Sequence, residues 1–412
     1  MADDDTEVVD AVGNGEGSGE VHPPAEAEKA VAPHEDAKGW GIASISIVSI
    51  AAVIILLFGL KETGSIVMPA FLALNLVIAA MPLQRYLHRK GLPAWLASTV
   101  MLLVLYLVLA ALVGMLVWSV WIAADELPQY QEKFTDLYNQ SIEWLGTFGV
   151  SEDKVSSSLS GIDPKTIMTG VQTVSSSLSA AGSQLAVLVI ALTFFAFDLP
   201  GIARRKLSIA EQRPRLADAL SSFEDGIRSY WLVSTVFGLI VAAMDVVALM
   251  MMGIPLAMVW GVLAFVTNYI PNIGFVMGVI PPALFALLTG GPMDALWVVV
   301  IYSVINLVMQ SFIQPKFTGD AVGLTASVTF LSLAFWSAIV GALGAILAVP
   351  LTLAVKALFV DADPRLAWMS TFLTTPDADD KRDEKRTKKK RKQERHERAA
   401  ASSAAGSSPV EA

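Results

Sequence analysis

The 412-residue chain contains no cysteine. That absence excludes disulfides and thiolate-held metals or clusters. Imidazole is scarce as well. The four histidines, His22, His34, His88 and His396, all fall in polar stretches, in the two tails or one short connection. Charge is sparse: Asp, Glu, Lys and Arg make up 16% of the residues, where soluble domains run near a quarter. No HExxH, GxSxG or GxxxxGKS/T spacing occurs, so the usual marks of zinc hydrolases, serine hydrolases and P-loop nucleotide chemistry are missing. A protease working within a membrane would need Ser with His, or paired Asp, inside its spans. Here Asp245 alone lies well inside one. The expectation is a non-enzyme with no cofactor and no metal site.

What the chain has instead is apolar sequence. Residues of the hydrophobic types make up 54% of it, and the mean hydropathy is +0.58. They gather in uninterrupted blocks of about 20 residues or more, the length that crosses a bilayer as helix. The blocks are 40–60, 65–82, 96–122, one ending at Phe197, 230–252, 256–288, 295–313 and 328–360. This predicts an all-α, polytopic integral membrane protein with about eight transmembrane segments, occupying residues 40–360. Residues 1–39 are acidic and rich in Gly, Pro and Ala, have no apolar run of a signal peptide, and are expected to be a disordered cytoplasmic tail. Residues 361–412 form a second hydrophilic tail. Its stretch KRDEKRTKKKRKQERHER carries eleven basic residues against four acidic ones.

Lysine and arginine set orientation. The basic connections 84–90 and 199–229 are separated by two crossings, so they share one side, assigned as cytoplasmic. Both termini then lie in the cytoplasm of a plasma-membrane protein, and 123–182 lies outside as an extracytoplasmic insert. Within that insert Leu127, Tyr130, Phe134, Leu137, Tyr138, Ile142 and Leu145 recur every three or four residues, one face of an amphipathic helix. The face could lie on a membrane or pack on its own chain. Leu216, Leu220, Phe223, Ile227 and Trp231 mark a similar helix on the inner side. The polybasic tail is expected to meet anionic lipid rather than nucleic acid.

Two blocks break the pattern. The stretch 256–288 would be about 50 Å long as one helix, against a hydrocarbon core of about 30 Å. Its middle reads NYIPNIG, placing Asn268, Pro271, Asn272 and Gly274 where a span should be most regular. The stretch 328–360 has Gly341 and Gly344 at its middle, and Pro350 matches Pro281 in the second halves. Each is either a bent crossing, giving eight spans, or a re-entrant hairpin, giving six spans and two hairpins. Proline and glycine could merely kink packed helices. Two interrupted apolar segments in corresponding positions, however, point to a transporter's substrate site, because unwound backbone at membrane depth persists only when buried in protein or lining a cavity.

Polar residues inside the spans add candidates. Asp245 sits in FGLIVAAMDVVALMMMG with no adjacent base, and an intramembrane carboxylate is a functional candidate by default. It is the ion-coupling candidate, for a proton or another monovalent cation; the bland alternative is a carboxylate paired with a neighbouring helix. Asn306, Gln310 and Gln314 recur every four residues as one polar stripe, lining a pathway or bonding between helices. The substrate-pathway set is therefore Asn268, Pro271, Asn272, Gly274, Asn306, Gln310, Gln314, Gly341 and Gly344.

These segments carry a family resemblance. Ile270-Pro271-Asn272-Ile273-Gly274, then Gln314-Pro315-Lys316, Val322-Gly323-Leu324, the run from Gly341 to Pro350, and FFAFDLPGIARRKL with Asp198 occur in the order of the AI-2E family of bacterial transporters, the PerM-type permeases. The chain resembles that family over about residues 40–360. Asn272 stands where the family commonly has an aromatic residue, and Asp245 is outside the family pattern. The resemblance implies a homo-oligomer that exports a small polar solute, such as the quorum-sensing signal autoinducer-2, by secondary transport. Other members imply the alternative of sodium(lithium)/proton antiport. A non-transporting membrane scaffold is the alternative from another class.

Overall fold

The computed structural model describes residues 42–130, 182–270, 274–313 and 324–374, with isolated positions between 131 and 140. The described chain is helical. Its main elements are α1 (Ile42–Glu62), α2 (Gly64–Arg89), α3 (Ala94–Glu126), α4 (Gly182–Gln212), α5 (Pro214–Met251), α6 (Ala257–Thr267), α7 (Gly274–Gly290), α8 (Pro292–Leu307), α9 (Ala326–Ile346) and α10 (Ala348–Val355). Among the described residues, β pairing is confined to the isolated bridge between Leu324 and Thr374. By compactness the chain divides inside α1, residues to Ile54 forming one unit and Ile55 onward the other. Helices α2 to α10 all belong to the second unit.

Local chemistry explains the boundaries. Pro214 and Pro292 open α5 and α8 at the first turn, where a missing N–H costs nothing. Thr325 caps α9, its hydroxyl accepting from the Val328 N–H at 3.3 Å. The basic connection 199–229 is helical on both sides of Arg213; the helix expected from Leu216 to Trp231 is present within α5, and α4 runs on to Gln212 as well. The two helices outlast their apolar portions, and Lys206 on α4 meets Glu224 on α5 at 2.8 Å. Beyond 361 the described chain turns back: the Thr325 N–H donates to the Leu373 carbonyl at 3.1 Å.

Six described helical stretches are long and apolar enough to cross a membrane: 64–89, 94–130, 182–202, 214–251, 292–310 and 326–346. Their outward faces are as oily as their inner ones. Leu107 on α3 is 72% exposed and Met251 on α5 84%, which water would penalise and lipid does not. Inside, α2, α3 and α4 close on Ala73, Val77, Met101, Leu188 and Leu192. The long α5 packs on α8 through Val233, Phe237, Val241, Ile305 and Met309.

Both broken segments fold back as antiparallel hairpins, the geometry that the length of each left open. In α6–α7, Gly278 lies over Ala264 and Thr267, with a notional Cβ 3.2 Å from the Thr267 hydroxyl. Further along α7, Phe285 stacks on Trp260, ring centroids 5.6 Å apart. Steps forward on α7 thus match steps back on α6. In α9–α10 the break falls at Gly341, with φ 70 and ψ −145, a conformation open essentially to glycine alone. The chain turns again at Leu347, between α9 and α10. Trp336 Nε1 donates to the Thr352 hydroxyl at 3.0 Å, which also bonds Ser332. Two glycines make these turns tight. A Cβ on Gly274 would sit 2.0 Å from the Thr267 carbonyl oxygen, and one on Gly344 2.2 Å from that of Trp336.

Candidate functional site

Beside α5 the turn of the α6–α7 hairpin packs against the arms of the α9–α10 hairpin, whose own tip at Gly341 is exposed. Ile270, from the α6–α7 tip, packs into the cluster of Met68, Leu333, Trp336 and Leu347 that holds the α9–α10 hairpin on α2. On α5 the Tyr230 hydroxyl reaches the Tyr269 carbonyl at 2.9 Å and the Ile346 carbonyl at 3.1 Å. A phenol has one proton, so it is shared between the last carbonyls of two different hairpins. Trp231 stacks on Tyr269, centroids 5.6 Å apart. Its Nε1 is buried with no hydrogen-bond partner.

About four helical turns further along α5 lies a small polar pocket. Its walls are Val241 and Asp245 of α5, Ala264 and Asn268 at the end of α6, Gly274, Phe275 and Gly278 of α7, and Tyr302 and Asn306 of α8. The open space is ≈ 10 Å³, the room of about one water molecule. Asp245 is 1% exposed and so is Tyr302. Asp245 Oδ1 and the Tyr302 hydroxyl are buried without hydrogen-bond partners. Unpaired polar groups at this depth cost free energy, so the pair marks a place that protein atoms leave incomplete.

Four of the residues singled out from sequence converge here: Asp245, Asn268, Gly274 and Asn306. Asn268 Nδ2 donates to the Ser234 carbonyl at 3.3 Å. Gly238 makes that approach possible, since a Cβ there would come 2.7 Å from Asn268 Nδ2. Asn306 Nδ2 donates to the Tyr302 carbonyl at 3.2 Å, and its Oδ1 accepts from Gln310 Nε2 at 2.8 Å. Gln310 therefore stands behind Asn306 rather than on the pocket wall. Gly341 and Gly344 belong to the other hairpin. Pro271, Asn272 and Gln314 lie outside the described residues, as does most of the amphipathic face expected in 123–182. Its Tyr130 packs on Phe285 of α7, ring centroids 4.6 Å apart.

Sequence reasoning missed Tyr302, Tyr230 and Tyr269. For Tyr302 a signal existed: it lies one turn before Asn306 and extends the polar stripe Asn306–Gln310 backwards. Tyr230 gave none, since an aromatic residue at a span's edge reads as an interface anchor, and Tyr269, inside NYIPNIG, was passed over for the Asn, Pro and Gly around it.

Described residues that are helical, with several apolar spans, two broken hairpins packed on one another and a buried polar pocket between α5, α6, α7 and α8, have the build of a membrane transporter. The comparisons name the family. The family described as AI-2E family transporter matches residues 49–362, and the chain belongs to it. It is 29% identical over 310 residues to the AI-2 transport protein TqsA of Escherichia coli K12, covering 75% of this chain and 90% of that protein. It is 28% identical over 323 residues to YhhT of the same strain, covering 78% and 90%.

Proposed function

We propose that the chain exports a small polar solute across the cell membrane by secondary transport, alternately opening the gap between its two hairpins. The observation that carries the reading is the contact between the two antiparallel hairpins, where the Tyr230 hydroxyl reaches a carbonyl of each and Ile270 and Ile346 pack across the seam. Such a contact closes a path with few bonds, and few bonds must break to open it. The pocket of ≈ 10 Å³ is too small for an organic solute, so on this reading a hairpin moves to admit one. The name of TqsA suggests autoinducer-2 as the solute to try first. Cation/proton exchange is the second reading, favoured by the unpartnered Asp245 at the same place. The reading puts both termini in the cytoplasm, on the count of Lys and Arg in the connections. It also proposes that the polybasic tail meets anionic lipid and that the protein is a homo-oligomer.

The test is flux in proteoliposomes, with labelled autoinducer-2 and a panel of other small polar solutes. Uptake or release above protein-free liposomes, saturating with solute, is the expected result. Folded protein that moves none of the panel and no cation would overturn the reading.

A further inference from the structure

We infer that residues 362–374 are a membrane-surface strap, which ties together the two feet of the α9–α10 hairpin and seats Trp368 and Phe372 in the headgroup layer of an anionic lipid leaflet. This surface adds an apolar half to the lipid contact proposed above for the polybasic tail. Only its preference for anionic lipid rests on that reading.

The strap is fixed at both ends. Beyond α10 the chain stays helical to Asp361, where Lys356 Nζ meets Asp361 Oδ1 at 3.1 Å and Oδ2 at 3.0 Å. The two side chains are 8% and 6% exposed, so losing either partner would leave a charge buried and unpaired. At the other end the Thr325 N–H donates to the Leu373 carbonyl at 3.1 Å, and Leu324 pairs with Thr374 as an antiparallel bridge. Thr325 is the cap of α9. The start of α9 and the end of α10 are the two feet of one hairpin, and 362–374 joins them.

Between these anchors the strap turns aromatic rings outward. Trp368 is 63% exposed and Phe372 73%, with ring planes at 86° and centroids 6.0 Å apart. Water penalises such a pair, whereas the headgroup level of a bilayer is where amphipathic aromatic rings settle. Position agrees. Leu324 packs with Phe223 and Ile227, in the first third of α5, so the strap lies at the end of the bundle where the basic connection 199–229 runs. Charge selects the lipid. Arg365 is exposed one turn before Trp368, and from Lys381 the sequence continues with eleven basic residues against four acidic ones. Basic segments next to a membrane are drawn to anionic headgroups. Lipid that holds the strap also holds both feet of α9–α10. On the transport reading, solute flux then responds to the charge of the leaflet.

The full chain has no cysteine, so Thr371→Cys, at an exposed position, carries a single fluorophore. The labelled protein is placed in phosphatidylcholine vesicles with and without phosphatidylglycerol, and a headgroup-borne nitroxide lipid serves as quencher. Quenching is expected in both and several-fold stronger with phosphatidylglycerol. It should be lost in Trp368→Ser with Phe372→Ser, while the thermal midpoint in detergent stays unchanged because both side chains are exposed. Amide exchange in the first turns of α9 should slow with phosphatidylglycerol in the wild type and not in that double variant. A label open to aqueous iodide but untouched by the lipid quencher would overturn the inference. So would quenching that survives in the double variant, or α9 exchange blind to lipid charge. Shielding from both quenchers would mean that a second copy of the chain covers the face, and would overturn it as well. A chain ending at Pro376 separates the two halves of the contact: it should keep the quenching and lose its dependence on phosphatidylglycerol. A dependence that survives there would overturn the tail's part and leave the aromatic seat. If solute crosses while the label stays in water, the strap alone falls. Should the label enter lipid while neither solute nor cation crosses, the transport reading falls and the strap stands.

Discussion

The two hairpins solve one backbone problem with different chemistry. Each turns a long apolar segment back on itself and uses a glycine so close to the opposing arm that a Cβ would meet a carbonyl oxygen, at 2.0 Å for Gly274 and 2.2 Å for Gly344. Their polar groups then diverge. In α9–α10 the hydroxyls of Ser332 and Thr352 and the indole of Trp336 bond to one another, and the hairpin is satisfied from within. In α6–α7 Asn268 turns outward to α5, and the hairpin forms a wall of a pocket where Asp245 and Tyr302 remain unpaired. The second hairpin satisfies its polar groups internally; the first borders two that stay unpaired.

Substitutions can break or sharpen that contrast. The largest effect is expected where the hairpins are alike. Gly274→Ala and Gly344→Ala should each destabilise the protein by on the order of 3 kcal/mol, since backbone must yield to the added methyl. Thermal unfolding in detergent checks it, and indifference at either site would mean that the turn is not tight. Next, Thr352→Val keeps the shape but strands the Ser332 hydroxyl and the Trp336 N–H. It should cost about 2 kcal/mol and leave solute flux per folded protein intact. Lost flux with unchanged stability would reverse the contrast between the hairpins.

Asn268→Ala is the converse. It removes one long hydrogen bond, worth about 1 kcal/mol or less, yet should abolish most solute flux. Tyr230→Phe should cost about 1 kcal/mol, because one proton was shared by two carbonyls. Its signature is kinetic: with the hairpins less firmly held together, flux should rise or change its solute dependence. Flux and thermal midpoint measured on the same preparation separate these outcomes.

The fold was legible in sequence wherever length decided it. Apolar blocks longer than a bilayer's thickness had to bend, and NYIPNIG and Gly341 marked where. Whether they crossed or folded back was not legible, because it depends on which residues of the two halves touch, as Gly278 does with Ala264. The site divides in the same way. Asp245, Asn268, Gly274 and Asn306 each stood out as a polar or flexible residue in an apolar setting. Nothing in their spacing said that three separate blocks bring them to one pocket. Tyr302 escaped notice because a tyrosine is ordinary in an apolar run until its hydroxyl proves to have no partner. Leu347, where the second hairpin turns again, is an apolar residue with no local mark at all.

The central claim is that transport needs the two hairpins to part where they touch. The absence of cysteine makes a direct measurement simple. Ile270→Cys and Ile346→Cys, introduced together, would be the only thiols in the protein, and a short reducible bifunctional thiol reagent can join them. The account predicts that solute flux in proteoliposomes stops when the two hairpins are linked and returns on reduction, with each single-cysteine protein unaffected by the reagent. Flux that continues at the same rate through fully linked protein would contradict it.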